Sequence, residues 1–390
     1  MAISASSDAP EWTNMTNLAS DAYGGTVVFA TDEWFGEAAR LLLPADPIFN
    51  DDFTDFGKWM DGWETRRRRL PGHDWCIIKL GLPGHIRGIK IDTAFFTGNQ
   101  APRFSLQGAY IAHEPEALTR LAKLWAGDRM GLAATEDDMA MVTPLGSEKW
   151  EEILSMTPLR PGYEDGRYHY FTIDEDNKYT HLRLNMFPDG GIARLKVHGI
   201  VERNWEEVPA DEEVDLLAVE NGGVEVACSN QHFGTPKNLL KPGRGINMGD
   251  GWETARKPDR PAVLELGDDG LVKAPGSDWA VLKLGVVGEV RRMVVDTNHF
   301  KGNFPESVIV EACLTPDIPD AGFSKGGESV EWRPLLPRCK AGSNREHVFE
   351  LGKGELQNAG PISHVKLSIL PDGGVMRLRA FGTRTTAPPS

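Results

Sequence analysis

The stretch HLRLNMFPDGGIARLKVHGIV, His181 to Val201, returns as HVKLSILPDGGVMRLRAFGTR, His364 to Arg384, with nine of its 21 positions identical. Most other pairs exchange one apolar or basic residue for another. In the first copy Leu182, Leu184 and Met186 alternate with Arg183 and Asn185. After the turn at Pro188-Asp189-Gly190-Gly191, Leu195 and Val197 alternate with Arg194, Lys196 and His198. A period of two on both arms predicts an antiparallel hairpin with one face in a core and one in water. Proline presets φ in the turn and glycine supplies the positive φ that closes it. Arg194 and its counterpart Arg377 are expected on the solvated face.

Outward from the hairpin the duplication continues. Asp61-Gly-Trp-Glu-Thr65 is answered by Asp250-Gly-Trp-Glu-Thr254, Asp74-Trp75 by Asp278-Trp279, and Asp92-Thr93 with Gly98-Asn99 by Asp296-Thr297 with Gly302-Asn303. Trp75 to Leu80 and Ile86 to Asp92 read as two strands joined by a turn at Gly81-Leu-Pro-Gly84, and repeat two has matching segments at Trp279 to Leu284 and Val290 to Asp296. Each half is therefore expected to be mostly antiparallel β, in the size range of a sandwich or jelly roll. Minor α enters by insertion: Glu114 to Ala126, with Leu118, Leu121, Leu124 and Trp125, reads as a short amphipathic helix. Repeat two inserts Pro258 to Ser277, rich in Gly, Asp and Pro, between its shared strand motifs.

A chain of 390 residues exceeds what one core usually supports, so two domains are expected. The expected divisions are a frayed 1–22, repeat one at 23–203, an acidic linker at 204–221 and repeat two at 222–385. The formal charge of -15 argues against a nucleic-acid partner, because phosphate binding draws its energy from Lys and Arg. No run approaches the length of a membrane span. The start carries no basic cluster followed by an apolar run, and the four cysteines lack Cys-x-x-Cys spacing, so a cytoplasmic protein is expected.

Residues that recur in both halves and carry chemistry are the site candidates. Glu64 and Glu253 stand beside a Trp, with Arg67 and Arg256 three residues on, the one position of the Arg66 to Arg69 run that keeps its arginine in repeat two. That pair is the anion-binding candidate. Asp92 and Asp296 end a strand ahead of the loops holding Asn99 and Asn303. A turn-capping role for these aspartates carries equal weight. His73 has Ser277 as counterpart and His299 has Phe95, so a histidine acid or base would make the halves unequal. The paired His169 and His347, and His181 and His364, read as structural. There is no nucleophile elbow, no His-Glu-x-x-His, no phosphate loop, no dinucleotide fingerprint and no tight metal-ligand spacing.

Taken in order, these landmarks resemble the allantoicase family, from about Asp32 to Thr385. The resemblance implies two tandem jelly-roll, galactose-binding-like β-sandwich repeats, homo-oligomeric assembly, and hydrolysis of allantoate to ureidoglycolate and urea. Allantoate carries a carboxylate and two ureido groups on one carbon, and urea leaves readily only when protonated. Residue type then suggests Arg67 or Arg256 for the carboxylate, Asn99 or Asn303 and Asp92 or Asp296 for the ureido groups, and Glu64, His73, Glu253 and His299 for proton transfer. A divalent metal, manganese among them, stays open as a cofactor. Tandem sandwiches also serve as non-catalytic carbohydrate or ligand binders. The recurrence of Glu, Asp, Asn, Arg and His in both halves favours the enzyme, and cleavage of ureidoglycolate is the neighbouring alternative.

Overall fold

The computed structural model describes residues 9–385 other than 262, 264, 274 and 275, and the chain divides between Glu202 and Arg203 into two units. The first holds β1 (Thr16–Asn17), β2 (Thr26–Ala30), β3 (Phe53–Thr54), β4 (Gly57–Lys58), β5 (Trp63–Glu64), β6 (Asp74–Asp92) and β7 (Arg103–Ala109). After helices α1 (Glu116–Leu124) and α2 (Glu136–Val142) come β8 (Glu151–Pro158), β9 (Tyr168–Thr172), β10 (Lys178–Phe187), β11 (Gly191–Ile192) and β12 (Arg194–Val201). The second unit holds β13 (Val214–Asp215), β14 (Val224–Cys228), β15 (Trp252–Glu253), β16 (Asp278–Asp296), β17 (Ser307–Cys313), β18 (Arg333–Lys340), β19 (Glu346–Glu350), β20 (Ile362–Leu370), β21 (Gly374–Val375) and β22 (Arg377–Arg384).

The strand orders coincide. Unit one runs β1-β12-β6-β10-β7-β8 with β2 and β9 also on β6, and unit two runs β13-β22-β16-β20-β17-β18 with β14 and β19 also on β16. Each is an eight-stranded, antiparallel set, so the chain is a mostly β protein of two tandem domains. The first half of β6 lies between β2 and β10, its second half between β12 and β9. Two layers thus share one long strand. Leu182, Leu184, Leu195 and Val197 are fully buried, as the alternating pattern requires.

The expected turn at Gly81 to Gly84 does not form, because β6 runs straight through it. Its glycines serve close passage instead. A Cβ on Gly81 would stand 2.5 Å from Tyr23 O and one on Gly84 2.1 Å from Ile200 O, and neither residue has a positive φ. Gly285 repeats the device, 1.7 Å from Asn221 O.

Of the N-terminal segment expected to fray, residues 1–8 lie outside the described part. The rest is ordered: Thr16 and Asn17 pair with Gly199 and His198, and Leu18 and Ala19 are fully buried. The expected linker holds the equivalent strand. Val214 and Asp215 pair with Gly382 and Phe381, and Leu216 and Leu217 are buried. Acidic composition did not exclude an edge strand, because Leu216 and Leu217 carry its burial. In α1 Leu118 and Leu121 are buried while Leu124 is exposed. The stripe from Leu118 closes on Trp125, seven residues on, and Leu124 falls off it.

The second face of the hairpin is not wet. Arg194 and Arg377 are each 2% exposed, and Arg183 and Asn185 are buried as well. Alternation marks which residues share a face. It does not reveal whether other chain segments cover that face.

Candidate functional site

Asp-Gly-Trp-Glu-Thr is built the same way twice, and four of its five residues are occupied with structure. Asp61 Oδ2 accepts from Arg194 Nη2 at 2.8 Å, and Asp250 Oδ2 from Arg377 Nη2 at 2.7 Å. The same arginines donate through Nη1 to the carbonyls of those aspartates. Gly62 lies against Ile192 O and Ala193 Cα, where any side chain would collide. Trp63 and Trp252 are fully buried and donate from Nε1 to Asp32 O and Asn230 O, each at 2.8 Å. The Thr65 and Thr254 hydroxyls accept from the backbone N–H groups of Gly190 and Gly373 in the opposing turns.

The fifth residue is different. Glu64 Oε1 accepts from Asn99 Nδ2 at 2.7 Å, and Asn303 Nδ2 donates likewise to Glu253 Oε1. The backbone fixes these partners, since Gly191 N–H donates to Asn99 O and pairs across from Glu64 in β5, while Gly374 N–H donates to Asn303 O and pairs across from Glu253. Glu64 is 9% exposed, and burial pushes its carboxyl up to about 7 against the opposing pulls of Asn99 and Arg67. Glu253 is more open.

Arg67 belongs to this group, with Nη2 donating to Gly98 O and Nη1 to Asp189 Oδ1, both at 3.3 Å, on a side chain more than half exposed. Its sequence counterpart does not match it. Arg256 is exposed and has no side-chain bond among the described residues. Arg260 instead donates to Asp372 Oδ1 at 2.6 Å, the position equivalent to Asp189. Repeat two leaves its motif through a longer loop, which brings a later arginine to the same aspartate. A cavity of about 240 Å³ lined by Arg260, Gly302, Phe304, Glu306, Lys340, Ala341 and Pro371 lies beside that turn.

Asp92 and Asp296 are occupied by structure. Asp92 is gripped by Arg167, Nε to Oδ1 at 3.0 Å and Nη2 to Oδ2 at 2.6 Å, and caps Ala94 N–H. Asp296 takes Arg244 through both oxygens at 3.1 Å and caps Asn298 N–H. The turn-capping reading describes both. The paired arginine of repeat two, Arg345, turns to His347 instead.

The histidines are not brought to the glutamates by any direct bond. His73 Nε2 donates to Asn185 Oδ1 at 3.0 Å and its ring lies 4.4 Å from that of Phe187. Burial lowers its pKa, Arg183 and Arg68 add to the effect, and Asn185 opposes it. His299 has φ of 66° and donates to Gly245 O at 3.3 Å. His169 and His347 accept backbone N–H groups of Arg160 and Gly342, and His181 is held by burial at about 4, as is His364, each bonded to a neighbouring hydroxyl. These four are structural.

The sequence reading passed over the group around Arg183, which it placed on a wet face. Arg183 Nε donates to Asn185 Oδ1 at 2.8 Å, Nη1 donates to Ser147 Oγ at 2.7 Å, and the guanidinium lies 3.8 Å from the Trp75 ring centroid. Asn185 Nδ2 reaches Ser105 Oγ and Gln107 Oε1, both at 3.1 Å. The available signal was that Arg183, Asn185, Trp75, Ser105 and Gln107 share one side of β10, β6 and β7.

Among the described residues no three His, Cys, Asp or Glu side chains converge as metal ligands.

The allantoicase-repeat family model matches residues 16–202 and again 214–385, the two units just described. The chain belongs to the allantoicase family. It is similar to the probable allantoicase of Pseudomonas paraeruginosa (strain DSM 24068 / PA7), 43% identical over 367 residues covering 94% of this chain and 95% of the relative. Another similar relative is the probable allantoicase of Pseudomonas syringae pv. syringae (strain B728a), 39% identical over 96% of this chain and 98% of that one. The crystal structure of allantoicase from Saccharomyces cerevisiae aligns with a TM-score of 0.66 at 36% identity, covering 95% of this chain and 94% of that one. Membership extends over both repeats, and within this chain the Glu64-Asn99 pairing of the first recurs as Glu253-Asn303 in the second. No helix among the described residues is long and apolar enough to cross a membrane.

Proposed function

We propose that this allantoicase-family protein hydrolyses allantoate to ureidoglycolate and urea, with Glu64 moving the proton. The observation that carries the role is a carboxyl poised at about 7, with one oxygen occupied by Asn99 and Arg67 beside it. A group near neutrality can give a proton and take one back at working pH.

Arg67, exposed and joined to protein only by two long bonds, receives the substrate carboxylate. Protonated Glu64 passes its proton to the departing ureido nitrogen as the C–N bond breaks. The lone pair of the remaining ureido nitrogen forms a C=N bond to the central carbon. Water adds to that carbon, the C=N pair returns to nitrogen, and the water's proton goes to the Glu64 carboxylate. One water is consumed, one urea leaves, and the glutamic acid is regenerated. Asn99 holds Glu64 in place. Glu253 and Asn303 repeat the pairing in a more open setting, which supports repeat one as the principal centre.

The four cysteines are all free, which supports a reducing compartment such as the cytoplasm. Homo-oligomeric assembly is supported by exposed Ile48, Phe49 and Phe53 along one surface segment of repeat one. The deciding experiment is urea release from allantoate by the purified protein, with and without chelator, and with ureidoglycolate in parallel. Urea from allantoate supports the assignment, and the chelator arm reads the metal requirement. No urea from folded protein in either arm would reject it.

A further inference from the structure

Arg183 is 6% exposed and makes no ion pair among the described residues. Among the described residues its hydrogen bonds go to neutral oxygens of Asn185 and Ser147, with none from Nη2. The exposed Glu148 acts on it only from beyond bonding distance. A buried guanidinium without a counter-ion is costly unless something else supplies the negative charge. Stacking on Trp75 offsets only part of that cost.

Repeat two shows how the same place looks when the charge is balanced. Arg183 stands across from Gln107, and its counterpart Lys366 stands across from Glu311, with Lys366 Nζ 2.6 Å from Glu311 Oε2. Asn185 is replaced there by Ser368, which faces Ile309 where Asn185 faces Ser105. Repeat one has an amide where repeat two has the neutralising carboxylate, and both have a cation. Repeat one also has a second amide and His73, whose donors and acceptors meet those of the arginine through Asn185. His73 and Gln107 are both partly open to solvent; Gln107 Nε2 also donates to Glu148 O at 2.8 Å, which leaves its second N–H for a ligand.

We propose that this face of repeat one is a binding site for a small carboxylate bearing a carbamoyl group, with the carboxylate on Arg183 and the carbamoyl edge on Gln107 and His73. An arginine with a free terminal nitrogen matches a carboxylate, and a primary amide matches a ureido group through complementary donors and acceptors. The site is separate from the Glu64 group and does not depend on its role.

The test is calorimetric titration of the full chain with N-carbamoylglycine, which has one ureido group and a carboxylate but no second ureido group to lose. Saturable binding that survives in the Glu64→Gln, Arg67→Met double variant, and weakens at least about tenfold in both Arg183→Met and Gln107→Glu, is the expected result. Gln107→Glu installs the repeat-two arrangement, so it keeps the question answerable if Arg183→Met fails to fold. Its melting temperature should hold or rise, because an internal carboxylate then balances Arg183. Absence of saturable binding to wild type would overturn the proposal. So would undiminished affinity in Gln107→Glu. Loss confined to the Glu64, Arg67 double variant would place the ligand at the other group, overturning this site while leaving the Glu64 reading intact.

Discussion

Asn99 Nδ2 donates to Glu64 Oε1 at 2.7 Å, and that bond commits one carboxyl oxygen to the protein. The two residues lie 35 positions apart and meet because the Gly191 backbone pairs with one and bonds the other. The relation recurs in unit two, between Asn303 and Glu253.

If Glu64 transfers the proton, Glu64→Gln should lower kcat for urea release by roughly a hundredfold or more, with KM changed far less. Glu253→Gln should retain most of the turnover. Equal losses in the two variants would contradict the assignment of the principal centre to repeat one.

The pH profile should carry the same residue. Burial raises Glu64 from 4.5 to about 7, and the acid form protonates the leaving urea, so kcat should fall as pH rises through about 7. Asn99 and Arg67 both pull the value down, so Asn99→Leu and Arg67→Met should each move that alkaline limb to higher pH. A limb that stays in place in both variants would show that another group controls it.

Stability should follow the same sign. A carboxyl whose folded pKa is raised contributes stability that is fully present below its unfolded value of 4.5 and lost as pH climbs to about 7. Glu64→Gln removes the titration, so its melting temperature should gain on wild type between pH 5 and 8. A constant difference across that range would mean Glu64 does not titrate there.

Removing one member of the buried Asp61 and Arg194 pair should be severe. Arg194→Met leaves the buried Asp61 carboxylate with only the longer ion-pair contact to Arg40 at 3.7 Å among the described residues, and should cost about 3 kcal/mol in denaturant unfolding. Exposed Arg256→Ala should stay within about 0.5 kcal/mol of wild type. A mild Arg194→Met would contradict the buried pairing.

Gly81→Ala should destabilise unit one by about 1 to 3 kcal/mol, because the added carbon meets the Tyr23 carbonyl at 2.5 Å where β6 changes layers. Gly98→Ala, with open space around it, is the control. Comparable unfolding midpoints for the two would show that the crossing tolerates a side chain.

Much of this was legible in the chain. The duplicated hairpin, the strand-period pattern and the recurrence of Glu64, Asn99 and Arg67 were all visible, since each is carried by short spacing or by in-register repetition. What misled were residues with two physical uses. Glycine serves both turns and close passage, so Gly81 to Gly84 resembled a hairpin turn. An arginine that alternates with leucines is polar whether its face meets water or another segment, so Arg183 and Arg194 read as solvated. The Asp92 and Asp296 candidates had the right chemistry for a ureide, and their pairing with Arg167 and Arg244, 75 and 52 positions away, could not be read from local spacing.

The sequence by itself determined that the protein is a tandem duplication of a β-rich unit in the allantoicase family, because alternation and repetition are local properties written into residue order. Tertiary structure alone decided which polar residues are buried, which arginine meets which aspartate, and that the two halves differ around Arg183 and Lys366. Burial and pairing depend on chain segments far apart in sequence closing over the same face, and desolvation there sets the charge state on which the chemistry rests.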